Sequence, residues 1–354
     1  MKKVYINGIS SISAQKTFDD DQFLDELVAY DDNVIVASNP NYKEFIPPAA
    51  ARRMAKGIKM GIVASKLALQ NAKTEQVDAI LTGTGMGCLR DSEKFLGALI
   101  DNNEEYLTPT PFIQSTHNTV GGQIALELQC KGYNFTYVHS SVSFESALLD
   151  AKMQLETDEV DTILVGGVDE LSDRTVDMHR LINHVKEEKV SSETVLQSGT
   201  KGAVFSEGAN FFVLGNSKTD TTLGELVALE TFNTLPKKKI EAKMSSFLKE
   251  NNVEITEIDL LIIGNNGDVE FDDRYKIISS GIFNQTPQAV YKHLIGEYNT
   301  ASSFAFWLAN KVFDTQKLPK ALQLNGLEKS NYTTILLYNQ YRGENHGFTL
   351  LRKC

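Results

Sequence analysis

Apolar residues alternate with polar or small ones from Val4 to Ser13, the period of a half-buried strand. Between Ala50 and Ala72 the period changes. Met54, Ile58, Gly61, Ile62, Ser65, Leu69 and Ala72 fall at helical spacing and predict one long helix. Val77–Thr84 reads as a strand that runs into the turn Gly83-Thr84-Gly85-Met86-Gly87, and helices follow over Asp91–Asp101 and Asn118–Cys130. Asn134–Val138 is a short β-type run ending at His139-Ser140-Ser141. A helix is expected from Val142 to Leu155, then a strand over Val160–Val165 that stops at Gly166-Gly167. Ala209–Leu214 closes this stretch as a strand, whereas Thr17–Pro48, with its acidic run Asp19-Asp20-Asp21, shows no period and reads as irregular.

The polar run from Ser217 to Thr222 marks a boundary, and beyond it the same rhythm starts again. Leu226–Phe232 is a strand, Lys239–Lys249 a helix, and Leu260–Gly264 a strand that ends in Asn265-Asn266-Gly267-Asp268. Phe304–Phe313 closes a helix, while Tyr332–Tyr338 and Gly347–Arg352 form a strand pair joined as a hairpin. Alternating strands and helices argue for an α/β protein with mixed sheets. Two similar halves are expected, residues 1–216 and 223–354.

Composition narrows the function. The chain has 354 residues, 42% hydrophobic and 23% charged, which is ordinary for a globular protein with a sizeable core. Its net charge of −11 disfavours nucleic acid, which needs a basic face. Cys88, Cys130 and Cys354 are too few and too scattered for a disulfide framework or a zinc cage. His117, His179, His184 and His346 show no metal-ligand spacing with carboxylates, so neither metal nor cofactor is expected. The N-terminus lacks the apolar core of a signal peptide, and no segment approaches the ~18 apolar residues of a membrane span, so a cytoplasmic protein is expected.

Several motifs occur in a fixed order. Thr108-Pro109-Thr110-Pro111-Phe112-Ile113 is followed by Gly121-Gly122-Gln123-Ile124-Ala125, then by Leu164-Val165-Gly166-Gly167-Val168-Asp169-Glu170. Phe205-Ser206-Glu207-Gly208-Ala209, Asn266-Gly267, Lys292 with Gly296, and Gly343 complete the series. This sequence resembles the β-ketoacyl-[acyl carrier protein] synthases of the thiolase superfamily. The resemblance implies a thiolase fold, two βαβαβαββ halves in a five-layer αβαβα sandwich, normally dimeric. It also implies fatty-acid or polyketide biosynthesis and an acyl carrier protein as partner.

The family's chemistry uses a cysteine nucleophile at a strand-to-helix turn, two histidines and a lysine. Counting back from Gly166-Gly167 places the nucleophile position at Ser141, or Ser140 with a one-residue shift. The histidine positions fall on Asn266 (Asn265 if shifted) and Glu297, and only Lys292 and Glu207 match. The resemblance puts Glu207, Arg342 (at the aromatic gate) and Gly343 at the substrate. A serine hydroxyl needs an adjacent general base, Asn266 cannot shuttle protons, and an ionised Glu297 repels a developing enolate. A Lys292–Glu297 ion pair is the structural alternative to a catalytic role.

Two readings of different class follow. One is a condensation-deficient subunit resembling the chain-length factors of type II polyketide systems. It would pair with an active synthase, as a heterodimer, and shape the acyl tunnel. The other is an active 3-oxoacyl synthase or acyltransferase, homodimeric or not, that uses Ser141 with a base such as His139. A plain binder of acyl chains stands against both. The cluster Lys237-Lys238-Lys239 with Lys243 suits either a carrier protein or a solvated helix start.

Overall fold

The computed structural model describes residues 2–18 and 23–354, so the acidic run Asp19–Asp21 lies outside the described residues. Ten strands carry the architecture. The first half supplies β1 (Tyr5–Ile12), β2 (Ala79–Gly83), β3 (Tyr133–Tyr137), β4 (Thr162–Asp169) and β5 (Gly208–Gly215). The second supplies β6 (Gly224–Phe232), β7 (Leu260–Ile263), β8 (Gln288–Val290), β9 (Thr334–Tyr341) and β10 (Asn345–Lys353). From edge to edge the order is β8-β7-β9-β10-β6-β1-β5-β4-β2-β3.

Each half therefore has the same strand order. The senses agree as well. β5 is antiparallel to both β1 and β4, and β2 is parallel to β4 and β3. Likewise β10 is antiparallel to β6 and β9, and β7 is parallel to β9 and β8. The halves meet where β1 pairs β6 at Tyr5–Glu225 and Ile6–Gly224. The duplication read from the strand–helix rhythm is thus a topological fact, although no sequence identity carries it.

Three apolar cores give the layers. The outer faces of β2, β4 and β5 pack against α1 (Lys56–Asn71) and α4 (Thr119–Leu128). The inner faces of both halves enclose α5 (Ser143–Glu156) and α9 (Ser302–Thr315). Every residue of α9 from Ser302 to Phe313 is buried, as a helix sandwiched between two sheets must be. On the far side α7 (Ile240–Glu250) and α8 (Asp273–Ser279) cover β7 and β9. This is the expected αβαβα sandwich. Smaller helices are α2 (Leu89–Asp101), α3 (Pro109–Ser115) and α6 (Asp173–Leu181).

Two boundaries depart from the hydrophobic pattern. The helix expected from Ala50 begins only at Lys56, after a separate turn at Pro48–Ala51. Gln114 holds the break open: its Oε1 accepts from Ala55 N at 2.6 Å, and its Nε2 donates to Arg53 O. The strand expected to stop at Gly166 instead continues to Asp169. There a Cβ on Gly166 would stand 2.4 Å from the Phe211 ring, so glycine lets the strand pass a large neighbour.

Candidate functional site

β2 and β4 both end at one side of the sheet, and their terminal residues knit the two halves together. Asp169 Oδ1 accepts from Gly85 N at 2.7 Å and Thr84 Oγ1 at 3.1 Å, while Oδ2 accepts from Thr300 N and Oγ1, each at 2.8 Å. Beside this knot lies a cavity of about 360 Å³. Its apolar wall includes Met86, Leu89, Val176, Phe205 and Tyr341; its polar wall includes Ser140, His179, His184, Glu297 and Asn299.

The strand-to-helix turn before α5 presents two serines in different ways. Ser140 adopts φ +53°, a left-handed conformation that turns it outward, and it lines the cavity. Its hydroxyl meets Asn299 Oδ1 at 3.4 Å. Ser141 is only 1% exposed and lies beneath the turn; its Oγ has no hydrogen-bond partner. The turn sits this close to β2 because Gly83 has no Cβ, which would stand 2.6 Å from the Ser143 backbone. His139 points away from both serines, its Nδ1 3.0 Å from Ser146 Oγ. No base therefore reaches either hydroxyl among the described residues, and an unactivated serine is a weak nucleophile.

Asn266, Glu297 and Lys292, the residues expected at the histidine and lysine positions, converge. Lys292 Nζ donates to both Glu297 oxygens, at 2.9 and 2.8 Å, with both side chains essentially out of solvent. Asn266 Nδ2 donates to Glu297 Oε2 at 2.7 Å. The Asn266 turn is held in turn by Asp272, which accepts from Asn266 N at 3.2 Å and Gly267 N at 2.9 Å. Burial raises the Asp272 carboxyl to about 6. Glu297 thus joins the cavity wall to a closed ion-pair network, and the amide that would face an oxyanion is spent on a carboxylate. Asn265, the shifted alternative, lines a separate polar cavity with Asp272 and Lys276.

The remaining expected residues stand off the cavity. Glu207 is fully buried and structural: Lys56 pairs with it, and Ala37 N and Leu171 N donate to it at 3.1 Å each. Arg342 and Gly343 form the reverse turn between β9 and β10, with φ +50° and +72°. The Arg342 guanidinium lies 4.5 Å over the Phe271 ring and donates to Asp268 Oδ2 at 3.2 Å; Gly343 N donates to Gln340 Oε1 at 2.7 Å. Tyr341, not Arg342, reaches the cavity. In the basic cluster Lys237 pairs with Asp273 and Lys243 with Glu230 at 3.5 Å, so part of its charge is spent locally.

Sequence reasoning missed Glu145 and gave His179 and His184 no place at the site. His179 and His184 line the cavity as a contacting pair, Nδ1 to Nδ1 at 3.1 Å. Glu145, on the buried face of α5, has an Oε2 without a partner, and burial raises its carboxyl to about 7 against the weaker opposing pull of nearby Lys292. The only signal for Glu145 was an acid on the inward stripe of an otherwise apolar helix.

Known proteins share this architecture. An ishigamide ketosynthase/chain length factor structure superposes with TM-score 0.78 at 16% identity, covering 100% of this chain and 99% of that one. A β-ketoacyl synthase from Burkholderia phymatum STM815 gives 0.79 at 15% identity, covering 100% of both chains. The ketosynthase ApeO in complex with its chain length factor ApeC, from Xenorhabdus doucetiae, gives 0.75 at 15% identity over 100% and 98%. No curated protein sequence matches significantly. Among the described residues no helix is long and apolar enough to cross a membrane. The family model for the β-ketoacyl synthase N-terminal domain matches residues 7–219, more than half the chain, and together with the duplicated sandwich this makes the protein a member of the β-ketoacyl synthase family.

Proposed function

We propose that this chain is a condensation-deficient subunit of the chain-length-factor type, built from halves 1–216 and 223–354 and working in the cytoplasm. It pairs with an active ketosynthase and lends its cavity to the acyl tunnel that a carrier protein serves. One observation carries the reading. Both histidine positions hold groups locked to each other: Glu297 is clamped by Lys292 and Asn266, and neither can relay protons to an enolate. The nucleophile turn offers serine without a base.

The partner is suggested by the sheet edge. β3 is the outermost strand of its half, and Tyr133, Phe135 and Val138 are exposed along and just beyond it. Leu126, Phe112 and Ile113 extend the apolar surface onto α4 and α3. An exposed apolar edge strand is a template for pairing, and a second ketosynthase-fold chain in two-fold contact would cover it. The similar structures named above include a ketosynthase with its chain length factor, and another similar structure is a type II acyl-carrier protein in complex with its ketosynthase.

The test combines native and intact-mass spectrometry. The chain is co-expressed with a ketosynthase carrying the cysteine and both histidines, then exposed to acyl-carrier and acyl-CoA donors. The expected result is a one-to-one heterodimer labelled only on the partner's cysteine. A stable acyl adduct on this chain that vanishes in Ser140→Ala or Ser141→Ala overturns the reading. It would instead support the serine acyltransferase, which the outward left-handed Ser140 favours.

A further inference from the structure

His179 lies in the last turn of α6 and His184 follows five residues later, where His184 N donates to His179 O at 2.9 Å and folds the chain back. The reversal brings the two rings together on the cavity wall. Their Nδ1 atoms are 3.1 Å apart, the centroids 5.1 Å, and the planes are inclined by 35°. Phe205, 5.0 Å from the His179 ring, backs the pair. Two imidazole nitrogens this close need something between them: a shared proton or a shared metal ion.

We infer that His179 and His184 chelate a late first-row divalent cation of the zinc class, through their Nδ1 atoms, with the remaining coordination positions open to the cavity. A tetrahedral ion with Zn–N of about 2.0–2.1 Å separates two ligand nitrogens by about 3.3 Å, within a few tenths of the observed spacing. Both rings are in the ligand-ready form. Burial, with the Arg342 guanidinium nearby, lowers the proton affinity of each, His184 to about 4, so both are neutral at physiological pH. Arg342 opposes a cation, but Asp268 pairs with it at 3.2 Å, and Asp169, Glu170 and Glu297 line the same cavity. Among the described residues no group of three His, Cys, Asp or Glu side chains can hold a metal. The chain thus supplies two ligands, and water or an oxygen or sulfur donor of the cavity's occupant supplies the rest. This inference stands apart from the pairing proposal, since it concerns metal binding by the isolated chain.

The test is a competition titration of zinc against a chromogenic chelator, with wild type, His179→Gln and His184→Gln, and with Mg²⁺ in parallel. Wild type is expected to take up one equivalent of Zn²⁺ and no Mg²⁺, which prefers oxygen ligands. Loss of an outer-shell partner alone costs about 10–100-fold in metal affinity, so loss of either direct ligand is expected to weaken binding at least about tenfold. Absence of a bound equivalent, or equal binding by all three proteins, overturns the inference. A second readout needs no variant. In ¹⁵N-imidazole spectra of wild type, zinc must shift the Nδ1 resonances of both histidines; an unshifted pair shares a proton instead and overturns it as well.

Discussion

Replacing Lys292 with Met tests whether the clamp on Glu297 is structural. The ammonium makes two contacts of 2.8–2.9 Å to the carboxylate, and its side chain has no solvent exposure. Methionine keeps the volume and removes the charge, which leaves Glu297 with Asn266 as its remaining side-chain donor. Removing one partner of a buried pair costs about 3–5 kcal/mol, because the other charge is stranded. Unfolding entropy of about 2.1 cal/mol/K per residue over 354 residues is about 0.74 kcal/mol/K, so the melting temperature should fall by about 4–7 °C. Scanning calorimetry, with Glu297→Gln and the double variant completing the cycle, measures the loss. The double variant should recover part of the loss, since neutral groups tolerate the site better than a lone charge. A loss below about 1 kcal/mol for Lys292→Met, the size of an exposed pair, would refute the reasoning, as would a double variant no better than the single.

Glu145 gives a second pH signature. Its carboxyl rises from 4.5 to about 7 on folding, so its stability contribution is complete at low pH and is lost as pH climbs through 7. At about 1.36 kcal/mol per unit, wild type should lose about 3 kcal/mol relative to Glu145→Gln between about pH 5 and 8, read from urea midpoints. Equal pH slopes for the two proteins would contradict the burial argument. The two serines separate by reactivity. In a Cys354→Ala background, Ser140→Cys should be alkylated by iodoacetamide at least about tenfold faster than Ser141→Cys, because only the former faces the cavity. Equal rates would place the register elsewhere. Phe135→Lys should abolish co-purification with the ketosynthase while leaving the monomer's melting temperature unchanged, since the ring is exposed on the edge strand.

Much of the fold could be read along the chain because burial dictates period. The strand Leu260–Ile263 is a continuous apolar run, and the pair Thr334–Tyr341 with Asn345–Lys353 is a hairpin in sequence as in space. α6 escaped notice because Asp173, Arg174, Asp177, His179 and Arg180 leave it almost no apolar stripe. The glycines of β4 looked like a stop because sequence does not show what they make room for, the ring of Phe211 at Gly166 and the side chains of Thr300 and Ser303 at Gly167. At the site, the family resemblance brought Lys292 and Glu297 together, five residues apart across Gly296 at φ +73°. It could not choose between Ser140 and Ser141, since their difference is a backbone dihedral at one position. The histidine pair was equally hidden: its contact depends on the chain reversing at a helix end.

The strand order also sets a timetable for synthesis. β1 is made well before β5, yet its Ile12 pairs with Ala209 there. At about 5–20 residues per second, the roughly 200 residues between them take about 10–40 s to emerge. During that interval the nascent chain carries Ile6, Ile9 and Ile12, all destined for the interior, with no strand to pair with. A strand of this kind is a natural client for a chaperone that shields apolar segments at the ribosome. Its sheet can close only once β5 has cleared the exit tunnel.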